Sequence, residues 1–171
     1  MRLFWRYGYE GVSFQQLTTT LGVAAPSLYA AFGNKEALYR EALDRYVTHR
    51  VAPDLSFVPE TLSVADAVRL LLHATARGLV EPGGETGCML NTGMITSHPD
   101  HAGIAKEVAD RRTAFRALLT TKLQVWVDPD RAGRLARFLT AVMQGMAIQA
   151  CDGATTLELL ALADQAASGL R

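Results

Sequence analysis

Apolar residues recur at helical spacing along nearly the whole chain, and this periodicity constrains the fold more than any other feature. Alternating apolar and polar residues never extend beyond about four positions, so β-strands have no support. Proline, glycine and aspartate residues interrupt the periodicity and mark helix ends. The pattern predicts an all-α fold, with helical runs near Arg2–Tyr7, Phe14–Leu21, Ser27–Phe32, Lys35–Val51, Val64–Leu79, Cys88–Thr96, Ala102–Val127, Asp130–Cys151 and Thr156–Leu170.

A segment flanked by prolines divides the chain into two predicted domains. The sequence APDLSFVPE, at residues 52–60, contains Pro53 and Pro59 and interrupts the helical pattern. We place an N-terminal domain of short helices at residues 1–50 and a larger helical domain at residues 51–171. Because apolar residues make up 49% of the chain, the larger domain can bury a core.

The charge balance limits the kind of partner that the chain can bind. Seventeen basic and seventeen acidic residues give a formal net charge of zero, which argues against a broad nucleic-acid coat. Residues 1–50 hold six Lys or Arg and four acidic residues, a net charge of +2. The sign of this small excess fits an N-terminal domain that meets phosphates.

Two short helical runs meet at Gly22 within LTTTLGVAAPSLYAAFGNKEAL, residues 17–38. Such a pair is typical of a helix-turn-helix, whose second helix enters the DNA major groove with its N-terminus first. An ordinary helical hairpin has the same spacing, and the spacing alone leaves both interpretations open. We expect one buried seam to join the two helices, formed by Val12, Leu17, Leu21, Val23, Leu28 and Phe32.

The second helix carries side chains suited to close contact with DNA. Pro26 fits the first turn of a helix, and the small residues around it allow a deep approach to base edges. Hydroxyl and amide groups nearby can bind phosphate or bases, and Lys35 can bind a phosphate at the start of the next helix. The predicted DNA-contacting residues are Ser13, Gln15, Gln16, Ala25, Pro26, Ser27, Tyr29 and Lys35.

The sequence FWRYGYEGVSFQQLTTTLGVAAPSLYAAFGNKEALYREAL resembles the DNA-binding region of the TetR family of bacterial transcriptional regulators. The matching motifs are GYEGVS, LGV, PSLYAAF and NKEAL, and the resemblance covers about residues 2–46. It implies a homodimeric repressor that binds a palindromic double-stranded DNA operator and is released by a small organic ligand. It also implies that Ala25, Pro26 and Ser27 begin the base-reading helix.

The start of the chain departs from the family pattern. Only MRLFWRYG precedes the turn, whereas family members usually have a complete first helix, often preceded by a basic arm. We expect that a segment is missing rather than that DNA binding is lost. The alternative is a helical small-molecule-binding or interaction protein that has lost DNA binding through truncation of this helix.

Bulky and sulfur-containing side chains are spread along the helices of the larger domain. Together they suggest an apolar cavity for a small organic ligand, although each of them is also typical of ordinary core packing. Polar residues that can orient a ligand from the same helices are His73, Arg77, Asn91 and Gln144. The predicted cavity residues are Cys88, Met89, Met94, Phe115, Trp126, Phe138, Met143 and Met146.

The last two helical runs contain small residues beside large ones. Small residues allow helices to approach closely, and the resemblance implies a four-helix interface between two protomers. An intramolecular core explains the same pattern. The predicted interface residues are Gly145, Ala147, Ala150, Ala163 and Ala167.

No residue pattern predicts catalysis, a metal site or a cofactor. The HPDH motif, His98–His101, is typical of a polar helix start, and Cys88 and Cys151 lack CxxC spacing. We expect both thiols to be buried apolar groups in a reducing cytoplasm. No segment reaches the roughly 18 apolar residues needed to span a membrane. The sequence therefore favours a cytoplasmic protein that is not an enzyme.

Overall fold

The structure is a computed structural model that describes residues 1–51 and 58–170, and every regular element within these ranges is a helix. This confirms the predicted all-α fold. Short turns extend two of the helices: a π-helical turn, Val47–Val51, follows α4, and a 3₁₀ turn, Pro99–His101, precedes α7. The helices are α1 (Arg2–Tyr7), α2 (Phe14–Leu21), α3 (Ala25–Phe32), α4 (Lys35–Tyr46), α5 (Val64–Leu79), α6 (Met89–Thr92), α7 (Ala102–Leu123), α8 (Pro129–Cys151) and α9 (Thr156–Ser168).

Several helix bounds differ from the sequence prediction. Helix α3 begins at Ala25, so that Pro26 lies in its first turn, where its missing N–H costs nothing. Helix α6 is a single turn, because the chain leaves the helix at Gly93 and Met94 adopts a positive φ of 52°. Helix α7 ends at Leu123 rather than at residue 127. Residues 52–57 of the predicted boundary segment lie outside the described residues.

Side-chain caps fix the starts of the N-terminal helices as the sequence predicts. Ser13 accepts a hydrogen bond from the Gln16 amide at the start of α2, and Asn34 accepts one from the Ala37 amide at the start of α4. The turn between α2 and α3 depends on Gly22, whose left-handed φ of 66° suits glycine better than other residues. These local contacts fix where α2, α3 and α4 begin and where α2 ends.

The larger part of the chain is built on two extensive helix contacts, α5 with α9 and α7 with α8. Small side chains allow α9 to lie close to α5, since Ala163 and Ala167 are both fully buried. In α8, Ala147 and Ala150 are also buried, at 0% and 1% exposure. All of these burials arise within a single chain.

The predicted dimer interface is therefore wrong for Ala147, Ala150, Ala163 and Ala167, which have no surface left for a second protomer. The intramolecular alternative is confirmed for these four residues. The reason is that small residues report close helix packing but not the chain to which the neighbouring helix belongs. Gly145 is half-buried, and a Cβ placed on it would meet no atom within 4 Å.

Replacing Ala163 with Leu tests the close packing of α9 on α5. The larger side chain has no room at a fully buried site, so we expect the free energy of unfolding to fall by about 1–3 kcal/mol. Thermal unfolding followed by circular dichroism measures the change. Ala74→Leu, at an exposed position of α5, is the matched control and should change stability by less than about 0.5 kcal/mol. Equal melting temperatures for the two variants would contradict this packing.

Candidate nucleic-acid interface

Helices α2 and α3 pack against each other as a helix-turn-helix. Val12, Leu17 and Leu28 are buried, at 1%, 4% and 3% exposure. The rings of Phe14 and Tyr29 stack with their centroids 4.1 Å apart and their planes 13° apart. This contact holds the two helices at one fixed angle, which a helix that inserts into a DNA groove requires.

Half of the predicted seam is not buried. Leu21, Val23 and Phe32 are 53%, 39% and 36% exposed. A helix of only eight residues can direct few side chains towards its neighbours, and in α3 only Leu28 is buried. The prediction of a continuous six-residue seam is therefore wrong at these three positions.

Most of the surface of α3 is open. Ala25, Pro26, Ser27 and Tyr29 are all exposed, and Leu28 is the single buried residue of the helix. No side chain caps the amides of its first turn. The N-terminal end of α3 therefore presents small side chains and backbone N–H groups to the outside, a combination that fits the edges of bases and the phosphates beside them.

Two of the predicted DNA-contacting residues also hold α2 in place. The Ser13 hydroxyl accepts a hydrogen bond from the Gln16 amide at 3.1 Å, and the Gln16 side-chain oxygen accepts one from the Ser13 amide at 2.7 Å. This capping box occupies their acceptor oxygens, while the hydroxyl hydrogen and the amide NH₂ group remain available as donors. Gln15 is exposed beside them.

Lys35 is directed at an aromatic ring. Its Nζ lies 4.3 Å from the centroid of the Tyr9 ring, and burial lowers the pKa of its ammonium group. The residue stands at the start of α4, as predicted, but it is half-buried. Contact with a phosphate would therefore require the ammonium group to leave the ring.

Most basic side chains of the N-terminal part pair with acidic residues further along the chain. Four of the six are bound in this way, although the side chains of Arg2 and Arg6 are still 64% and 61% exposed, so these cations would reach a phosphate in competition with their carboxylate partners. Pairs between positions so far apart in sequence leave no local signal. The pairs are Arg2–Glu85, Arg6–Glu85, Arg40–Glu107 and Arg50–Glu81.

The predicted ligand-cavity residues form part of a packed core. Cys88, Met89, Met94, Met143 and Met146 are buried, and Phe115 and Trp126 are partly buried and pack against the same core. Flexible methionine side chains fill irregular space, so a set of them does not by itself mark a cavity.

Phe138 does not fit the predicted cavity, because it is 44% exposed on α8. A cavity of about 530 Å³ lies elsewhere, between α1 and residues 84–93, and Met89 is the one member of the predicted set that lines it.

The sequence prediction placed an interface on α8 and α9 but did not identify the apolar residues that these helices expose. Phe138 and Ile148 of α8 are 44% and 55% exposed, and Leu157 of α9 is 78% exposed. Residues 138, 141, 145 and 148 share one face of α8, because they follow helical spacing. Exposed apolar side chains grouped in this way indicate an association surface.

The structure adds three observations on the remaining predictions. The HPDH motif is confirmed as a polar helix start, in which His98 accepts a hydrogen bond from the Asp100 amide. Cys88 is buried as expected, whereas Cys151 is exposed at the end of α8. Within the described ranges, no three metal-ligating side chains form a group, and no helix is long and apolar enough to cross a membrane.

Comparisons with known proteins agree with this geometry. The profile of the bacterial regulatory proteins of the tetR family matches residues 1–42. The chain is 34% identical to the HTH-type transcriptional repressor ComR of Escherichia coli (strain K12), over 95% of this chain and 81% of ComR. It is 30% identical to the HTH-type transcriptional repressor BdcR of the same strain, over 99% of this chain and 84% of BdcR.

Solved structures share the fold. A cysteine mutant of the TetR family transcriptional regulator CifR, complexed with 26bp double-strand operator DNA, superposes with a TM-score of 0.90 at 27% identity, over 99% of this chain and 92% of that chain. A putative TetR regulator from Rhodococcus sp. RHA1 has a TM-score of 0.55 at 32% identity. These relatives are regulators, not enzymes. With its exposed helix-turn-helix and its likeness to ComR and BdcR along the chain, this protein belongs to the TetR family of DNA-binding transcriptional regulators.

Proposed function

We propose that the protein is a homodimeric repressor that binds a palindromic operator through α3 and is released by a small organic ligand. The exposure of α3 on every side except that of Leu28 carries this proposal. ComR and BdcR are named as repressors, and the CifR structure contains operator DNA. A ligand-binding protein that has lost DNA binding is not favoured, because a helix-turn-helix with an exposed α3 would then have no role.

The DNA contacts follow from the chemistry of the exposed residues. Ala25, Pro26 and Ser27 are small enough for the backbone of α3 to approach base edges and thymine methyl groups closely. Phosphate contacts come from the hydroxyl and amide groups around them and from the start of α4. Tyr29 and Lys35 are assigned to phosphates, and Ser13, Gln15 and Gln16 are assigned to phosphates or base edges.

The exposed face of α8 and α9 is the proposed dimer surface. Phe138, Ile148 and Leu157 contribute exposed apolar side chains to this surface, and Gly145, on the same face of α8, leaves room for a close approach of the partner. Two-fold symmetry then places two copies of α3 on successive major grooves, about 34 Å apart.

The larger domain, residues 51–171, is the proposed effector domain, and residues 1–50 form the DNA-binding domain. An effector acts only through its different affinity for the DNA-bound and released arrangements of the dimer. Binding among the buried side chains of Cys88, Met89 and Met143 would require them to repack. Such repacking would be transmitted to α4, which contacts α6.

Ser27→Glu tests the placement of α3 in the groove. A carboxylate at this exposed position would face bases and phosphates in both half-sites, so we expect operator affinity to fall about 30-fold or more, at about 1 kcal/mol or more for each half-site. Fluorescence anisotropy with labelled operator measures the change. Thr113→Glu, an equally exposed hydroxyl-to-carboxylate change on α7, should leave affinity unaltered. Equal affinities for the two variants would show that α3 does not contact the operator.

The ion pairs predict a shallow salt dependence of operator binding. Of the six Lys and Arg side chains in residues 1–50, four pair with carboxylates, and among the described residues this leaves Lys35 and Arg45 of each protomer without a carboxylate partner. Four such cations in a dimer give a slope of log affinity against log salt no steeper than about −3.6, at about −0.9 for each. A slope near −8 would mean that the paired arginines turn to the phosphates on binding.

Leu157→Asp tests the dimer surface. Two carboxylates in an apolar interface are costly, so the variant should sediment as a monomer and lose operator affinity while its far-ultraviolet spectrum is unchanged. Ile95→Asp is the control, since Ile95 is 62% exposed but lies outside α8 and α9. A dimer that survives Leu157→Asp would refute this assignment.

A further inference from the structure

Two ion pairs join α4 to α7, and they match in spacing. Arg40 donates to both carboxylate oxygens of Glu107, at 2.7 and 2.8 Å, and Arg111 pairs with Asp44 at 2.5 Å. Arg40 and Asp44 lie one turn apart on α4, and Glu107 and Arg111 lie one turn apart on α7. The two helices therefore run in the same direction along this contact. We call these four residues the α4–α7 clasp.

The order of the charges in the clasp favours one alignment of the two helices. Glu36, Arg40 and Asp44 alternate in sign at successive turns of α4. A shift of α4 by one turn, about 5.4 Å, would bring Glu36 beside Glu107. A shift in the opposite direction would bring Asp44 beside Glu107. Like charges repel at this distance, so the clasp specifies where α4 lies along α7.

The geometry of the clasp exceeds that of an isolated surface pair. The contact between Arg40 and Glu107 is bidentate, and Arg40 also bonds to Glu36 of its own helix at 3.3 Å. Hydrogen bonding to Arg40 lowers the pKa of the Glu107 carboxyl, which is therefore ionised at neutral pH. Bidentate geometry and a linked set of charges are the conditions under which exposed ion pairs have a measurable effect.

A second contact holds the same helices at the start of α7. The Glu10 carboxylate accepts a hydrogen bond from the His98 amide at 2.7 Å, just before the turn that leads into α7. The Tyr9 ring meets the His101 ring edge-on at 5.0 Å. The first half of α7 and the turn before it thus hold the N-terminal helices at two places, and the clasp is the one that fixes α4.

The clasp lies between α3 and the proposed dimer surface. Helix α4 contacts α3, whereas α7 packs extensively along α8, which carries Phe138 and Ile148 of that surface. Within the described ranges, α4 and α7 are not among the helix pairs whose backbones are in extensive contact, so their side chains make the link. A displacement of α4 along α7 would therefore move α3 relative to the two-fold axis of the dimer.

We propose that the α4–α7 clasp holds α3 in position relative to α7 and thereby determines which half-site spacing the protein accepts in an operator. Its four members are positioning residues, since none of them is assigned a contact with DNA. The spacing half of the proposal rests on the proposed function, because it requires a dimer on two half-sites. The positional half does not, since it concerns a single chain.

The first experiment measures the position of α3 relative to α7 without DNA. Nitroxide labels are attached at Ala31→Cys in α3 and Ala117→Cys in α7, two exposed positions, in a Cys151→Ser background in which Cys88 is buried. Electron paramagnetic resonance gives the distribution of distances between the labels, and dilution with unlabelled chain removes distances between protomers. Glu107→Arg places like charges together in the clasp and should displace or broaden the distribution by about 2 Å or more.

Asp110→Arg is the matched control for this measurement. It makes the same charge change at an exposed position of α7, where Asp110 pairs with Lys106 of its own helix, and it should leave the distribution unaltered. A Glu107→Arg distribution equal to that of the wild-type chain, with native circular dichroism, would overturn the positional half. If Glu107→Arg does not fold, Arg111→Glu places like charges beside Asp44 and gives the same test.

The second experiment measures the spacing preference. The operator in the region upstream of the gene, located by footprinting, is compared with copies in which one base pair is inserted or deleted between the half-sites. Each change moves the half-sites by about 3.4 Å and about one tenth of a turn. The ratio of the affinities for native and altered spacing is the readout, because a change in net charge affects all of these DNAs alike.

The wild-type chain and Asp110→Arg should prefer the native spacing about tenfold or more. Glu107→Arg should reduce this preference about threefold or more, because α3 is no longer held at one position. An unchanged preference in Glu107→Arg, together with altered label distances, would overturn the spacing half and leave the positional half standing.

A double-mutant cycle tests whether Arg40 and Glu107 act through each other. Arg40→Gln and Glu107→Gln should each lower the spacing preference, and the double variant should lower it no further than the larger single change. Fully additive effects would overturn the proposal. If the wild-type chain shows no preference for any operator sequence, the proposed function fails, and the label distances still support or overturn the positional half.

Discussion

Five buried aromatic rings join α1 to α4, and the contacts of this cluster with residues 87–93 attach the DNA-binding helices to the rest of the chain. They are 1–7% exposed, and they meet one another in edge-on or stacked pairs around α1 and α4. Each such pair contributes about 0.5–1.5 kcal/mol beyond the burial of apolar area. Residues 87–93 close the cluster, since Trp5 donates to the Gly87 carbonyl and Gly93 lies against the Tyr39 hydroxyl. The rings are Phe4, Trp5, Tyr9, Tyr39 and Tyr46.

The arginines of the N-terminal helices form ion pairs with acidic residues of the larger domain. Arg40 pairs with Glu107 of α7 through two hydrogen bonds of 2.7 and 2.8 Å, and Arg2 and Arg6 pair with Glu85. These pairs orient the two parts of the chain while each contributes little free energy, because the arginines remain partly exposed. Under the proposed function, recognition of DNA then depends mainly on the shape, backbone amides and neutral side chains of α3, with Lys35 beside them. This division of roles is consistent with a chain of zero net charge that nevertheless belongs to a family of DNA-binding proteins.

Local sequence signals predicted the helices, the caps and the turn, because each of these depends on residues within about one helical turn. Ser13 and Asn34 cap the helices they precede for this reason. Features that depend on distant residues were not predictable in the same way. The alanines of α8 and α9 indicated close packing but not whether the neighbour belongs to the same chain, and Phe138 indicated burial but is exposed. Similarly, nothing near Arg6 in sequence marks Glu85 as its partner.

The support of α3 differs from that of α1 in a way that matters for control. Helix α3 has one buried residue and one stacked ring pair, so few contacts hold it in place. Its position therefore depends on the positions of α2 and α4, which it contacts. Helix α1 has two buried aromatic residues and is tied to residues 83–87 by hydrogen bonds and ion pairs. A regulator must change the position of its reading helices without unfolding them, and a bistable contact away from the DNA can do this. Because α1 contacts α4 through Phe4 and Trp5, and α4 contacts α3, a small displacement of the firmly held helix would be passed to the loosely held one.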